Sequence, residues 1–201
     1  MCLISEFDIF ASTLIQTSIV DTTEVTYKAT ASMEQSDLEI LIPAVNATYV
    51  DLNIKVYIRG KLTKVDGTNL DNTDFTAVTN NFLHSLFSQC SIALNVVTII
   101  QATKLYNSRS YLETILAYGS DGATTLLRNA FWYLDDGDLL PCEPTAPDSK
   151  NKVFIARWNR IKLSKEVELY GCIHSDICIV PLHLVPSVRM QIKPTKAKSS
   201  F

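Results

Sequence analysis

The sequence is poor in glycine, in paired cysteines and in long apolar runs, and each shortage argues against a class of protein. Six glycines among 201 residues leave little room for the glycine-rich loops that wrap phosphate groups. The five cysteines are scattered and form no CxxC pair, which disfavours a disulfide framework and indicates reduced thiols. No stretch approaches the roughly 18 uninterrupted apolar residues of a membrane span.

Charge and composition set further limits. Eighteen lysines and arginines against 21 aspartates and glutamates leave a net charge of −3, so bulk charge does not favour nucleic-acid binding. A hydrophobic fraction of 47% is typical of a globular chain, and 201 residues predict a single domain. Glu6 and Asp8 interrupt the apolar start, which predicts a protein of the cytoplasm or nucleus that is not secreted.

Alternation of apolar and polar residues is the dominant pattern and predicts β-strands. In the segment 52–59 the even-numbered residues are Leu, Ile, Val and Ile, and the odd-numbered residues are Asn, Lys, Tyr and Arg. Shorter alternating runs lie at 38–42, 90–94, 167–173 and 188–192, with less regular ones at 25–29 and 153–158. Six to eight strands at irregular spacing favour a mainly β, antiparallel sandwich over alternating βαβ units.

Two short helical insertions are predicted among the strands. Ser110 and Glu113 have the spacing of a capping box, which predicts a helix start at Ser110, and Gly119 is placed to end this helix. Three apolar residues then share one helical face: Leu112, Ile115 and Leu116. A second helical patch is predicted at about 123–133. The acidic and proline-rich segment 135–150 is predicted as a surface loop, and the basic segment 193–198 as a frayed end.

The chemistry-bearing residues do not form a recognised catalytic motif. The His-Ser-Asp triplet at 174–176 resembles a catalytic triad only in composition, because adjacent strand residues point in alternate directions. Cys172, Cys178, His174 and His183 could serve as zinc ligands, but their spacing is not that of a zinc knuckle. We therefore predict no catalytic, cofactor-binding or metal-binding residues, and a protein that is not an enzyme.

Several blocks of the sequence resemble one protein family. They are Ser-Glu-Phe-Asp-Ile-Phe at 5–10, Asn-Asn-Phe-Leu-His-Ser-Leu-Phe-Ser-Gln at 80–89, the segment 106–118 centred on Arg-Ser-Tyr-Leu-Glu-Thr, and the pair 164–169 and 173–176. In this order they are similar to the major capsid protein of Maverick/Polinton elements and adintovirus-like viruses. The closing segments 189–193 and 198–201 look like the end of that family's first jelly roll.

The resemblance implies a fold and a domain division. The family has two jelly rolls in one chain, and three chains form a hexon-like capsomer. It implies here an eight-stranded antiparallel jelly-roll sandwich with one or two short helical insertions. On this reading an N-terminal arm spans 1–24, a single jelly-roll domain (the first half of a double roll) spans 25–195, and a truncated tail spans 196–201.

The same resemblance implies a structural role without catalysis. We expect a capsid subunit, located in the virion, or a truncated or host-resident relic of one; the partner is a second and third copy in a homotrimer, with no cofactor and no membrane. The implied interface consists of Arg109, Tyr111, Leu112, Glu113, Trp132, Tyr133, Asp135 and Asp136. Two rival hypotheses remain. One is a host-retained β-sandwich that binds a partner through loops 66–76 and 135–150. The other is a metal-dependent β-barrel enzyme using His174, His183 and nearby cysteines.

The hairpin turn after the strand near 89–94 departs from the family pattern. This turn usually reads Asn-Gly in the family, whereas here Val96 follows Asn95. Valine resists the positive φ that this turn requires. We therefore expect the turn to be rebuilt or displaced.

Overall fold

The computed structural model describes residues 19–30, 37–101, 103–134, 143–145 and 151–197. The strands are β1 (Ile40–Ile42), β2 (Val50–Asp51), β3 (Lys55–Gly60), β4 (Phe87–Leu94), β5 (Val97–Ile100), β6 (Val167–Cys172), β7 (His183–Leu184) and β8 (Met190–Lys196). The α-helices are α1 (Phe82–Ser85), α2 (Tyr106–Ala117), α3 (Ser120–Thr124), α4 (Lys152–Ile161) and α5 (Asp176–Ile179), and 3₁₀ helices span Leu126–Ala130 and Lys162–Ser164.

The predicted class, mainly β with antiparallel sheets, is confirmed, and eight strands are present. The prediction of one or two helical insertions was too low, since five short α-helices occur within the described ranges. The additional helices lie in the connections between strands, where local capping and packing of single apolar residues decide the conformation rather than a long periodic pattern.

The strands form one four-stranded sheet of order β1-β8-β4-β5 and two two-stranded sheets, β2-β7 and β3-β6. Four of these antiparallel pairs are nested along the chain: β1 with β8, β2 with β7, β3 with β6, and β4 with β5. The first half of the chain therefore folds back along the second half. In addition, β8 pairs with β4, which places both strands at the centre of the large sheet.

The core is centred on these two middle strands. Ile92 on β4 and Met190 and Ile192 on β8 are almost fully buried. Leu83 on α1 and Phe131, which follows the first 3₁₀ helix, belong to the same buried cluster. Removal of such side chains from water contributes about 1.5–3 kcal/mol each, so this cluster is the main source of stability.

The alternation predicted over 52–59 is confirmed. Leu52 is buried and Ile54, Val56 and Ile58 are partly buried, whereas the odd-numbered residues between them are exposed. Side chains alternate between the two faces of a strand, and here one face lies against the core. The pairing of β3 with β6 in a regular antiparallel register extends from Lys55 opposite Cys172 to Gly60 opposite Val167.

Two of the less regular strand predictions were wrong. The segment 153–158 lies within helix α4, because the Asn151 side chain accepts a hydrogen bond from the Phe154 amide at 2.8 Å and caps the first turn. The helical period then buries Trp158 and Ile161. The segment 25–29 forms no strand, and Thr30 instead bonds through its amide to the Glu39 carbonyl at 2.7 Å.

The predicted helix boundaries were also wrong. Helix α2 begins at Tyr106, four residues before Ser110, so Ser110 lies inside the helix and cannot cap it. Gly119 precedes α3 with an ordinary negative φ instead of ending α2 in a left-handed conformation. The second predicted patch divides into α3 and a 3₁₀ helix, and Phe131 takes the left-handed φ of 60° that ends the latter.

The chain end was predicted to be frayed, but the described part of it is a strand. β8 extends to Lys196, and the Ala197 amide donates to the Leu86 carbonyl at 2.9 Å. Pro194 has no amide proton to donate, yet its carbonyl accepts a hydrogen bond from the Leu38 amide. The strand therefore tolerates proline at this position inside the sheet, opposite Cys90.

The expectation that the β4–β5 turn is rebuilt was wrong as well. Leu94 pairs directly with Val97, so the turn contains only Asn95 and Val96. Their φ values of 46° and 75° are both positive, as in the hairpin turns that normally use Asn-Gly. The Asn95 side chain accepts a bond from the Arg189 amide, which ties this turn to the start of β8.

Candidate interaction surface

Helix α2 packs on the body of the protein through a polar face. Tyr106, Ser110 and Thr114 follow one another at intervals of four residues and are all buried. An i, i+4 spacing places side chains on the same side of a helix. The small hydroxyl side chains of Ser110 and Thr114 allow a close approach of the helix to α1 and β4. Each polar atom buried at this contact needs a hydrogen-bond partner there.

Hydrogen bonds satisfy this buried polar face. The side-chain Nδ2 of Asn81 donates to Ser110 Oγ at 3.2 Å, and Ser110 Oγ donates to the Asn107 carbonyl at 2.8 Å. The Thr114 hydroxyl donates to the Ser110 carbonyl at 2.7 Å. Since these groups have partners inside the protein, the polar face costs little on burial and fixes the rotation of α2 about its axis.

A chain of charged groups reinforces the same face. Arg109 donates to Glu113 at 2.6 Å and to Asp176 at 2.5 Å, and the second Glu113 oxygen lies 2.8 Å from Nδ1 of His174. The hydrogen bonds from Arg109 lower the pKa of the Asp176 carboxyl. Arg109 and Glu113, one turn apart on α2, are thereby connected to the segment between β6 and α5.

A buried histidine continues this network into the core. His84 is 4% exposed, its Nδ1 lies 3.1 Å from the Tyr106 hydroxyl, and its ring packs edge-on against His174 at 4.5 Å between centroids. Burial is the larger cause, and the proximity of His174 the smaller, that together lower the pKa of His84 to about 3. His84 is therefore neutral at physiological pH and acts as a hydrogen-bonding core residue.

The opposite face of α2 is apolar and faces solvent. We call it the outer face; it consists of Tyr111, Leu112, Ile115 and Leu116, with Leu105 and Tyr118 at its ends. Leu116 is 85% exposed and Leu112 59%. The helix thus buries its polar side and exposes its apolar side, the reverse of the usual arrangement for a helix on a globular body. Clustered exposed apolar residues of this kind mark interaction sites.

The predicted interface residues on this side occupy two layers. Tyr111 lies on the outer face and its ring contacts Trp132 at a centroid distance of 4.9 Å. Trp132 and Tyr133 are both 5% exposed, so they support the surface from beneath. The Asn80 side chain holds this segment, donating to the Tyr133 carbonyl and accepting from the Tyr133 amide at 2.8 and 2.9 Å.

Some of the remaining predicted interface residues belong to the charged network of α2, one lies on the outer face, and two fall in a part of the chain that the structure does not describe. Arg109 and Glu113 lie on the inner side of α2, bound to one another and to Asp176 and His174, whereas Leu112 is on the outer face. Asp135 and Asp136 lie outside the described residues.

The residues considered as zinc ligands do not come together. Cys178 is buried, Cys172 and His183 are exposed, and Cys172 lies 3.6 Å from the Asn53 side chain. His174 is bound to Glu113. Within the described ranges, no three His, Cys, Asp or Glu side chains gather in a way suited to a metal ion.

Sequence reasoning missed the residues that orient the outer face. Asn80, Asn81 and His84 lie in the block 80–89. Asn81 and His84 bind Ser110 and Tyr106 in the block 106–118, where Glu113 in turn binds His174 of the block 173–176, whereas Asn80 binds Tyr133 outside these blocks. Blocks chosen for resemblance alone thus meet in one hydrogen-bond network. The pattern of hydroxyl residues at 106, 110 and 114 was a usable signal, because it marks the side of the helix that approaches the core closely.

No helix in the part of the chain that is described is long and apolar enough to cross a membrane. The fold defines the class as mainly β with antiparallel sheets and short helical connections. Comparison with protein-family models, curated proteins and solved structures finds no match to this chain.

Proposed function

We propose that this chain is a structural subunit of viral-capsid type, or a relic of one, and that it acts by self-association without catalysis. The outer face of α2 is the observation that carries the proposal. Apolar side chains exposed in a cluster are costly in water, and a second copy that covers them removes that cost. A surface held in one orientation by a buried network also loses little entropy on association.

The strand pairing supports the finer proposal of a jelly roll. A jelly roll is a long antiparallel hairpin rolled into two layers, so its first strand pairs with its last and the pairing continues inward. The four nested pairs from β1–β8 to β4–β5 follow this scheme. The β8–β4 pair is not one of these nested pairs. It joins the β4–β5 hairpin to β8 and so completes the large sheet.

The resemblance gives the proposed stoichiometry, which is three copies. Each copy contributes an outer face, and Trp132 beneath Tyr111 provides a firm base for contact with a neighbour. Aromatic residues backed by a packed core are typical centres of binding energy at interfaces. A second exposed apolar segment, with Ile179, Leu182 and Val185 each more than half exposed, offers a further contact for a shell of many copies.

Light scattering coupled to size-exclusion chromatography tests the proposal on the full chain. We expect the mass of three copies, or multiples of it, at micromolar concentration, and ordered arrays or particles in electron micrographs at higher concentration. Leu116→Lys places a charge at the centre of the outer face and is expected to abolish the trimer, since a buried unpaired charge costs several kcal/mol.

Val65→Lys is the matched control. Val65 is also fully exposed but stands alone beside the turn at Gly67, so this variant should associate as the wild type does. A wild-type chain that stays monomeric at these concentrations, or a trimer that survives Leu116→Lys, contradicts the proposal. A stable monomer favours the rival interpretation as a β-sandwich binding module.

A further inference from the structure

Strand β5 lies at the edge of the four-stranded sheet in the described part of the chain. It is the last strand in the order β1-β8-β4-β5, and none of the other described strands pairs with its outer side. Val97 is 64% exposed and Ile99 is 49% exposed, and Val96 projects at the hairpin tip. An edge strand carries a row of backbone amide and carbonyl groups that are free to pair with another strand.

Other edges of the protein are protected in ways that β5 is not. On the opposite edge of the same sheet, β1 has only three residues, Pro43 follows it, and Thr30 bonds through both its amide and hydroxyl to the Glu39 carbonyl just before it. The β3–β6 pair carries Arg59 and Glu166 in an ion pair at 2.7 Å. Charge, proline, short length and covering chain are the usual means of protecting an edge. β5 contains no charge and no proline, is one residue longer than β1, and has no covering strand among the described residues.

The whole β4–β5 hairpin is free of charge. Between residues 85 and 103 there is no Asp, Glu, Lys, Arg or His, and Val, Thr and Ile make up β5. A strand of this kind pairs well with a copy of itself, because β-branched side chains pack across an antiparallel pair and no like charges meet. A charged peptide would find no opposite charges on this strand, whereas a second copy of the strand is equally uncharged. We therefore take a second copy as the partner.

We propose that β5 pairs antiparallel with β5 of a second copy of this chain across a twofold axis. The two four-stranded sheets then join into one continuous sheet of eight strands. Val97 of each copy lies opposite Ile100 of the other, and Thr98 lies opposite Ile99. This contact is distinct from the outer face of α2 and does not rest on the trimer proposed above.

The test separates the two contacts by using full-length Leu116→Lys as the starting protein, since this change removes association through the outer face. Light scattering and sedimentation are expected to show a dimer at micromolar concentration. Adding Ile99→Lys should raise the dimer dissociation constant about tenfold or more, because lysine on an edge disfavours pairing. Ile99 is on the exposed side of the sheet, so the fold is expected to survive, which circular dichroism checks.

Leu41→Lys in the same background is the matched control, because Leu41 is exposed to a similar extent at the middle of the opposite edge strand. This control should remain dimeric. Hydrogen exchange gives a second measure: amides of 97–100 should exchange more slowly as protein concentration rises, and those of 40–42 should not change.

Three outcomes overturn the edge proposal. They are a monomer in the Leu116→Lys background at every concentration, a dimer unaffected by Ile99→Lys, and exchange at 97–100 that is slow but independent of concentration. The last result means that the chain covers its own edge. None of these outcomes affects the trimer test, which compares the wild type with Leu116→Lys.

Discussion

Nδ1 of His174 lies 2.8 Å from Oε2 of Glu113, although 61 residues separate them in the chain. The contact joins the middle of α2 to the segment that follows β6. Because Arg109 binds the other Glu113 oxygen at 2.6 Å, the carboxylate bridges two partners. This bridge explains how a helix with an apolar face can keep that face turned to solvent.

The first prediction concerns this bridge. Glu113→Gln should lower the free energy of unfolding by about 1–2 kcal/mol, because a neutral amide replaces a carboxylate with two charge-assisted hydrogen bonds. Glu168→Gln is the control, because Glu168 is exposed and its carboxylate lies as far as 4.0 Å from Nε of Arg59. This substitution should change stability by less than about 0.5 kcal/mol. Urea denaturation measures both. Equal effects of the two substitutions would refute a structural role for the bridge.

The second prediction concerns pH. The pKa of His84 falls from its ordinary 6.5 to about 3 in the folded protein, so the unfolded chain binds more protons between these values. Stability from this group is complete above about pH 6.5 and is lost as pH falls toward 3, by about 1.4 kcal/mol per pH unit. His84→Asn keeps a hydrogen-bonding group near Tyr106 but cannot titrate, so its stability should fall less steeply between pH 6 and 4.

His183→Asn provides the control for this pH series. His183 is exposed on β7, so this variant makes the same substitution at a surface histidine for comparison. Denaturation curves at a series of pH values give the slopes. If His84→Asn and the wild type lose stability in parallel, the buried imidazole is not the source of the acid sensitivity.

The third prediction concerns the close approach of β6 to α1. A Cβ atom at Gly171 would lie 2.8 Å from Cδ2 of Leu83 and 3.4 Å from Nε2 of His84. Gly171→Ala should therefore destabilise the protein by about 1–3 kcal/mol, since both neighbours are buried and cannot move away freely. At Gly60 no atom lies within 4 Å of the position that an added methyl group would take, so Gly60→Ala should be neutral or slightly stabilising in a thermal melt.

The fourth prediction concerns the hairpin turn. Val96 has a φ of 75°, a conformation that costs a β-branched residue about 1–2 kcal/mol. Glycine has no such penalty but loses about 0.5–1 kcal/mol of backbone entropy, so Val96→Gly should stabilise the protein modestly, by up to about 1 kcal/mol. Val97→Gly, one residue further on in β5, should destabilise it. A loss of stability in both variants would mean that the turn at Val96 is not strained.

Strands with regular alternation were predictable from the sequence. The segment 52–59 alternates because one face meets the core, and the same logic located β4, β6 and β8. In these strands the local sequence pattern and the tertiary environment favour the same conformation.

Helix boundaries and the orientation of α2 were not predictable in the same way. Ser110 and Glu113 have capping-box spacing, but their side chains bind Asn107, Arg109 and His174 inside a longer helix. The segment 153–158 lacks clear alternation, and a single side-chain bond from Asn151 favours its helical form. Such outcomes depend on partners that are distant in sequence or on one cap, and neither leaves a periodic signal.

The amino-acid order alone determined that the chain forms antiparallel strands with one apolar side, because side-chain alternation is a property of each strand by itself. Which side of α2 faces the core was decided only by tertiary structure, since hydrophobicity alone would have buried Leu112 and Leu116. Asn81, Asp176 and His174 supply hydrogen bonds to the polar side, and a buried polar group without them would cost more than the exposure of a few apolar residues.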